Sequence, residues 1–371
     1  DAKVIKITGG AGDDAITATT ADTLTLDGGT GTNTLVAGAD MTTSTFTNFQ
    51  VITIGAGATD FNASQLTGKS YAFNGAGTDI EINKAASIDS TTIDLSNLIT
   101  GATVTDTIIL GSAIGSALSL ATDLTITGTG VVDTITLTTQ TGTNIVKGMG
   151  GADVITGGTG ADTITGGEGT DAITAGAGLD TIILTETTAV SDTVTTTSGA
   201  AYSATNKDSI TGFTPGAAGD NVEISLADAA LVASITKLVA GAGAGTSIAG
   251  PLVVQDLAKG AGATTMTAGT EILVLTGGTY TDNAAVLADI GQTAGTTKLS
   301  WAANTGAASD AFLIAYSDGI NAHIIAMADS DAGTDVTLED ADLTATTLVT
   351  LTGITSMTAG DYNTANFDQV A

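Results

Sequence analysis

The sequence has no cysteine, a single histidine and only nine lysine and arginine residues among its 371 residues. The absence of cysteine excludes a thiol nucleophile and disulfides. Extracellular proteins that are stabilised by metal instead of disulfides lack cysteine, and so do many cytosolic proteins. The one histidine, His323, can complete neither an HExxH zinc motif nor a site of several histidines. We therefore expect His323 to be a strand residue whose ring nitrogen is hydrogen bonded.

Two further catalytic patterns are missing. The sequence contains neither a G-x-S-x-G nucleophile elbow nor the phosphate-binding pattern G-x-x-x-x-G-K-[ST]. Carboxylates are plentiful, but one at nearly every turn is typical of calcium binding rather than of an acid and base pair. The sole tryptophan, Trp301, is better explained by core packing than by stacking on a sugar. We predict that the protein is not an enzyme.

Positive charge is scarce, since 39 acidic residues face nine basic ones and the formal net charge is −30. Nucleic acid and anionic membrane surfaces are therefore excluded as partners, whereas cations are favoured. No run of 18 apolar residues is present, so no transmembrane helix is predicted. Aromatic residues make up 4% and charged residues 13%, with mean hydropathy +0.34. This composition suits many thin β cores better than disorder or one thick core.

A nine-residue unit is written four times without a gap over residues 148–183, as GMGGADVIT GGTGADTIT GGEGTDAIT AGAGLDTII. Each copy has a glycine-rich half that ends in an aspartate, and an isoleucine follows two residues later. A helix would not tolerate so many glycines, and a flexible Gly/Thr linker would not keep an isoleucine in register. The pattern is that of a calcium-binding parallel β-roll. Its aspartates are Asp153, Asp162, Asp171 and Asp180, and its isoleucines are Ile155, Ile164, Ile173 and Ile182.

Two nonapeptides make one turn of such a roll, so Asp153 is predicted to stack over Asp171, and Asp162 over Asp180. Stacked strands lie about 4.8 Å apart, where two carboxylates repel by roughly 1 to 3 kcal/mol. A calcium ion between the turns reverses this effect, because it binds six to eight carboxylate and carbonyl oxygens. The isoleucines are expected to point inward. The predicted ligands are Asp14, Asp153, Asp162, Asp171 and Asp180, with carbonyls of Gly158, Gly160, Gly167 and Gly169.

Degenerate copies of the unit occur before residue 84. Residues 9–17 fit the pattern fully, with Asp14 at the metal position and Ile16 inward. Residues 28–36 have Asn33 in place of the aspartate, and residues 74–82 keep Asp79 but have Glu81 at the inward position. Such isolated copies can close a turn without binding metal, and Asp14 is the strongest candidate ligand among them.

The predicted fold is all-β and dominated by a parallel β-solenoid, followed by a small mixed α+β C-terminal domain. A β-sandwich is the alternative, since spacing does not fix the pairing direction. We divide the chain into a solenoid (1–147), the calcium-binding roll with closing strands (148–224) and the mixed domain (225–371). In the closing strands, Asp208 is interpreted as a solvated turn residue, with ligation of the last ion as the alternative.

In the last part, Ser225 and Asp282 are candidate helix caps. Residues 311–316 and 322–327 are predicted strands, and 317–321 between them is a hairpin signal. The end, from 348 to 371, is aliphatic and threonine-rich, with acidic residues and no lysine or arginine. Because the sequence begins at Asp1 without a methionine or a signal peptide, we expect it to be the mature or the ordered part of a longer chain.

The repeat cluster resembles the RTX family of bacterial type I secreted proteins, closely over 148–183. The order of parts is similar to the S-layer proteins of Gram-negative bacteria, most specifically at 61–68, in the repeats and in the threonine-rich terminal strand. The resemblance implies export by type I secretion, a secreted protein at the cell surface, and several bound calcium ions. It also implies that calcium bridges further copies into a lattice or filament, and that cell-surface polysaccharide is bound through a region outside this sequence.

Two alternatives stay open. Outward threonines such as Thr163, Thr165 and Thr174 would form a row in an adhesin or an ice- or glycan-binding module, although threonine is also simply a good strand former. The second alternative is that the chain is the non-catalytic secretion half of an RTX enzyme. Sheets or filaments of the purified protein would favour the S-layer hypothesis over both alternatives.

Overall fold

The structure is a computed structural model, and all structural statements concern the residues that it describes: 4–18, 23–38, 40–54, 59–75, 80–81, 92–100, 106–109, 123–196, 207–225, 250–251, 254–262, 264–265, 272–290, 299–300, 311–329, 343–363 and 366–370. The chain forms two compact units, residues 1–173 and 174–371. The division into three domains at 147 and 224 stays a prediction.

The first unit is a coil of short strands in which each strand pairs in parallel with a strand of the next turn. This direction of pairing confirms the solenoid and rules out the antiparallel sandwich. One short helix, α1 (Ala63–Leu66), lies in this unit. Its strands form four rows: β1 (Val4–Ala11), β3 (Thr23–Thr30) and β5 (Thr45–Thr47); β2 (Ala15–Ala18), β4 (Thr34–Ala37), β6 (Val51–Ile54), β8 (Ala72–Gly75) and β11 (Ile99–Thr100); β7 (Thr59–Asp60), β9 (Ile80–Glu81), β12 (Asp106–Ile109), β14 (Asp133–Thr136) and β16 (Val154–Thr156); and β10 (Thr92–Asp94), β13 (Thr125–Thr127), β15 (Ile145–Gly150) and β17 (Thr163–Glu168).

The core of the coil is a set of aliphatic ladders that run through the rows. Val146 on β15 lies beside Ile126 on β13 and Ile164 on β17, and all three are 0% exposed. Burying each such side chain contributes roughly 1.5 to 3 kcal/mol, so a core only one side chain thick still stabilises the coil. The four isoleucines predicted to point inward are buried: Ile155, Ile164, Ile173 and Ile182.

The predicted threonine row is wrong. Thr163 and Thr165 flank Ile164 on β17, whereas Thr174 ends β18 (Ala172–Thr174), which belongs to a different sheet. The reason is that two nonapeptides make one turn, so successive copies alternate between two sheets. Threonines one copy apart therefore never share a face.

The second unit has mixed pairing. Its described strands and helix are β19 (Thr181–Ile183), β20 (Thr193–Thr196), β21 (Asp208–Thr211), β22 (Asn221–Ser225), β23 (Gly250–Pro251), β24 (Val254–Ala258), β25 (Thr264–Thr265), β26 (Ile272–Thr276), α2 (Asn283–Ile290), β27 (Leu299–Ser300), β28 (Ala311–Ser317), β29 (Asn321–Asp329), β30 (Leu343–Thr352) and β31 (Phe367–Val370). β19, β21 and β30 run in parallel, β29 is antiparallel to β30 and to β28, and β28, β26 and β24 are parallel again.

Two strands from the end of the chain form the next turn of the coil in this unit. β30 pairs in parallel with β21, and β31 pairs in parallel with β22. The pairing is strengthened by a hydrogen bond of 2.9 Å between Ser209 Oγ and Thr352 Oγ1. The threonine-rich terminal segment is therefore part of the folded unit.

The local predictions for this unit are confirmed where the structure describes them. Asp282 accepts a hydrogen bond of 2.8 Å from Ala285 N at the start of α2. β28 and β29 form an antiparallel hairpin around residues 317–321. Three further predictions concern residues outside the described ranges. They are the helix after Ser225, the core packing of Trp301 and, in the first unit, the role of Asp79.

Candidate metal centre

The repeat aspartates lie inside the coil and connect one turn to the next. Asp133 N donates a hydrogen bond of 2.8 Å to Asp153 Oδ1, and Asp153 N donates one of 2.8 Å to Asp171 Oδ1. These three side chains are at most 1% exposed. The predicted stacking of Asp153 over Asp171 is confirmed. The stacking of Asp162 over Asp180 stays a prediction, because these residues belong to different units.

The other side of the coil has the same ladder with asparagine in it. Leu124 N donates to Asn144 Oδ1 at 3.1 Å, and Asn144 N donates to Asp162 Oδ1 at 2.8 Å. Asp162 Oδ2 accepts a further hydrogen bond of 2.8 Å from Gly158 N at the start of its own copy. An asparagine thus takes the place of an aspartate in the ladder without disturbing the backbone hydrogen bond.

Burial makes the ionised form of these carboxylates unfavourable. Loss of solvation raises the pKa of Asp153 to about 6, although the hydrogen bond from Asp133 N opposes the shift. Loss of solvation also raises the pKa of Asp162, against hydrogen bonds from Gly158 and Asn144. A cation bound beside them would supply the charge that water supplies to an exposed carboxylate.

The second carboxylate oxygen of Asp153 has the properties of a metal ligand. Asp153 Oδ2 is buried and accepts no hydrogen bond among the described residues. The same holds for Asp14 Oδ2 in the first degenerate copy. A buried anionic oxygen without a donor is energetically costly, so both atoms fit a hard cation.

Backbone carbonyls approach the next turn so closely that only glycine fits opposite them. A Cβ atom on Gly169, which has φ +118°, would lie 1.9 Å from Gly151 O. One on Gly160 would lie 2.1 Å from Gly142 O. The other two predicted glycine ligands are equally tight: Gly158 against Gln140 O at 2.4 Å, and Gly167 against Met149 O at 2.2 Å.

All donors at this centre are oxygens. Within the described ranges no group of three or more His, Cys, Asp or Glu side chains is close enough to hold an ion, because each turn contributes one carboxylate to each side of the coil. An ion between turns would combine these carboxylates with the glycine-turn carbonyls, a donor set that calcium accepts. The residues present therefore fit Ca²⁺.

The ladder extends beyond the repeats, which the sequence analysis missed. In the second unit, Asp180 N donates to Asp208 Oδ1 at 3.1 Å, and Asp192 N donates to Asp220 Oδ1 at 3.0 Å. Interpreting Asp208 as a solvated turn residue was wrong, because it begins β21 and is 5% exposed. The signal was an aspartate two residues before a β-branched residue, which occurs at Asp133, Asp192, Asp208 and Asp220.

The first degenerate copies form a largely neutral version of the ladder. Asp14 N donates to Asn33 Oδ1 at 2.9 Å, and Asn33 N donates to Gln50 Oε1 at 2.8 Å. Asn33 is fully buried, and its Nδ2 donates to Asn48 O at 3.0 Å. Asp14 is therefore the one acidic member of this stack, so its role as a calcium ligand remains a proposal.

His323 lies on strand β29 and its ring nitrogens have hydrogen-bond partners, as expected. His323 Nε2 lies 2.9 Å from Asp318 Oδ2, and Nδ1 lies 3.3 Å from Thr350 Oγ1. Both ring nitrogens thus have partners on the hairpin and on β30. The polar contacts of His323 are explained by strand and turn structure.

Comparison with known proteins identifies the repeats. The family model of the RTX calcium-binding nonapeptide repeat, in four copies, matches residues 141–182. A comparison with curated proteins gives no match. Among the described residues no helix is long and apolar enough to cross a membrane. RTX repeats bind calcium, proteins that carry them are typically secreted, and their solenoids are typically non-catalytic. The chain therefore carries RTX calcium-binding nonapeptide repeats over residues 141–182.

Proposed function

We propose that the protein is an extracellular structural protein, and not an enzyme, that binds calcium and self-assembles into a surface (S-layer) lattice. The observation that carries the proposal is the ladder of buried carboxylates inside the coil, in a chain of net charge −30. Such a coil needs cations to fold, and copies of such a molecule need cations to approach one another. Type I secretion would deliver it to a medium rich in calcium.

The residues have separate roles in this proposal. The carboxylates of Asp153, Asp162, Asp171 and Asp180 supply negative charge, and Asp14 supplies it for a separate ion. The carbonyls of the glycine turns, with Gly158, Gly160, Gly167 and Gly169, complete the coordination. Calcium supplies the positive charge that cancels repulsion along the ladder. The side chains themselves hold the turns in register through their backbone hydrogen bonds.

Calcium binding at this centre would control stability. Free ion at 100 times its Kd adds about 2.7 kcal/mol for each site. A few such sites equal the roughly 5 to 15 kcal/mol that stabilises an ordinary domain. The coil would therefore stay unfolded inside the cell, where calcium is scarce, and fold after export.

Electron microscopy with and without calcium tests the assembly. We expect ordered sheets or filaments at millimolar calcium, and separate molecules after chelation. A protein that binds calcium yet remains as separate particles at every concentration would contradict the lattice. That outcome would favour the secretion half of an RTX enzyme or a binding module.

A glycan- or ice-binding role is the second candidate, favoured by a row of hydroxyls in the second unit. Thr181, Ser209 and Thr350 are neighbours on adjacent parallel strands. In the first unit the corresponding rows are interrupted, because Ile145 stands beside Thr163 and Lys147 beside Thr165. Glycan-array binding or inhibition of ice growth by the intact protein would support this candidate.

A further inference from the structure

Gln140 is a buried polar side chain that the repeat pattern does not explain. It lies on the turn 139–144, which leads into β15 and the four nonapeptides. It stands one turn before Gly158, at the equivalent position of the coil, and it is 0% exposed. Three of the four nonapeptides have glycine at this position and the other has the exposed Met149, so a buried side chain here needs its own reason.

The amide of Gln140 has no hydrogen-bond partner. Oε1 and Nε2 are both buried and without a partner among the described residues, and so is Oγ1 of the preceding Thr139. The backbone, in contrast, is engaged: Gln140 N donates to Leu137 O at 2.8 Å, and Gln140 O accepts from Thr159 N at 2.6 Å. The backbone thus fixes the residue inside the coil and leaves its side-chain oxygen available to a ligand.

The surroundings are those of the metal centre. Gln140 O lies against Gly158, where a Cβ atom would be 2.4 Å away, and Gly158 N donates to Asp162 Oδ2 at 2.8 Å. Gly142 O packs against Gly160 in the same pair of turns. The turns 139–144 and 157–162 therefore stack directly on each other, and this pair of turns contains the Asp162 carboxylate, the carbonyls of Gln140 and Gly142, and the unpartnered amide of Gln140.

We infer that Gln140 Oε1 is a ligand of a calcium ion held between these two turns, with Asp162 supplying the negative charge. Amide oxygens are regular calcium ligands. Asn144 occupies the ladder position of the first turn, so this site has one carboxylate where the Asp153 and Asp171 pair has two. Fewer charges give weaker binding, so this ion fills last. The inference rests on calcium binding by the repeats.

The test compares Gln140→Leu and Gln140→Glu with the wild type in the full chain. Calcium content is measured by atomic emission, and the thermal midpoint is measured in chelator and in millimolar calcium. Gln140→Leu should bind one ion fewer and show a smaller rise of the midpoint on adding calcium. Gln140→Glu adds a charge and should lower the calcium concentration that fills the weakest site by about tenfold.

The Gln140→Leu variant also distinguishes a calcium ligand from a buried amide that binds nothing. If Gln140→Leu binds as many ions and raises the midpoint equally with and without calcium, the amide was merely unsatisfied and the inference is overturned. Asp171→Ala, on the other side of the coil, is the parallel variant. If it loses calcium while Gln140→Leu does not, this inference alone fails, and if neither variant loses calcium the proposed function fails as well.

Discussion

Met149 shows how the repeat constrains single residues. Its φ is +86°, and the equivalent residue one turn later is Gly167 with φ +122°. A side chain in this left-handed region costs about 1 to 2 kcal/mol. Met149 is 44% exposed, so packing does little to offset the strain.

We expect Met149→Gly to raise the free energy of unfolding by up to about 1 kcal/mol, because relief of strain exceeds the added chain entropy of glycine. Met149→Ala keeps the strained backbone and is the matched control, with no expected gain. Urea unfolding in saturating calcium measures both variants. Equal stabilities of the two variants would contradict this explanation.

The buried carboxylates predict an unusual pH dependence of the calcium-free protein. Burial raises the pKa of Asp153 to about 6 and that of Asp208 to about 7, above the value of about 3.9 in an unfolded chain. The folded state thus holds these protons more tightly. Their stabilising contribution is full below the unfolded pKa and is lost as the pH rises through about 6 to 7.

In calcium-free buffer the folded fraction should therefore increase as the pH is lowered from 7.5 to 5. With calcium bound the carboxylates are held ionised, so the same change should weaken calcium binding instead. Asp153→Asn removes one of the groups and should flatten the calcium-free profile. A folded fraction that falls as the pH is lowered from 7.5 to 5 without calcium would contradict the burial of these groups.

The sequence predicted the residues that repeat at fixed spacing. The four aspartates and the inward isoleucines followed from a period of nine, which forces the same residue onto the same position of every second strand. Asp133 and Asp192 were missed because the turns that contain them differ in length, so no period marks them. Gln140 was missed because its environment arises only when turns stack.

At the scale of elements, long-range pairing was the feature that sequence could not give. The sequence shows that the segment with β30 and β31 is apolar and threonine-rich. It does not show that these strands pair with β21 and β22, because the paired segments are far apart in the sequence. Asn366 fixes this terminal turn: it is fully buried, and its Nδ2 donates to Gly216 O at 3.0 Å and to Asp220 O at 2.9 Å.

Asn366→Ala should destabilise the protein by roughly 1 to 3 kcal/mol, since it removes the amide that donates to Gly216 O and Asp220 O and that accepts from Gly216 N. Thr358→Ala changes an exposed residue of the same segment and should have little effect. Hydrogen exchange of the amides in β22 and β31 would localise the loss. Unchanged protection in Asn366→Ala would show that the terminal strands are held by other contacts.

At the scale of the whole molecule, one property connects composition and fold. The chain has 39 acidic residues and a net charge of −30, and it buries aspartates in both units. Most acidic proteins keep carboxylates in water. Here the fold itself requires a counter-charge, so calcium is expected to act as a structural component and not only as an effector.

The most direct test is a calcium titration of Asp171→Asn and of the wild type, in which circular dichroism measures the folded fraction at each calcium concentration. Asparagine keeps the Oδ1 atom that accepts from Asp153 N, as Asn33 and Asn144 do at their positions, and it removes only the charge. We predict that the variant needs more calcium to fold and is no less stable than the wild type in chelator. If both proteins fold at the same calcium concentration, or if both are fully folded in chelator, calcium is not what the carboxylate ladder is built to hold.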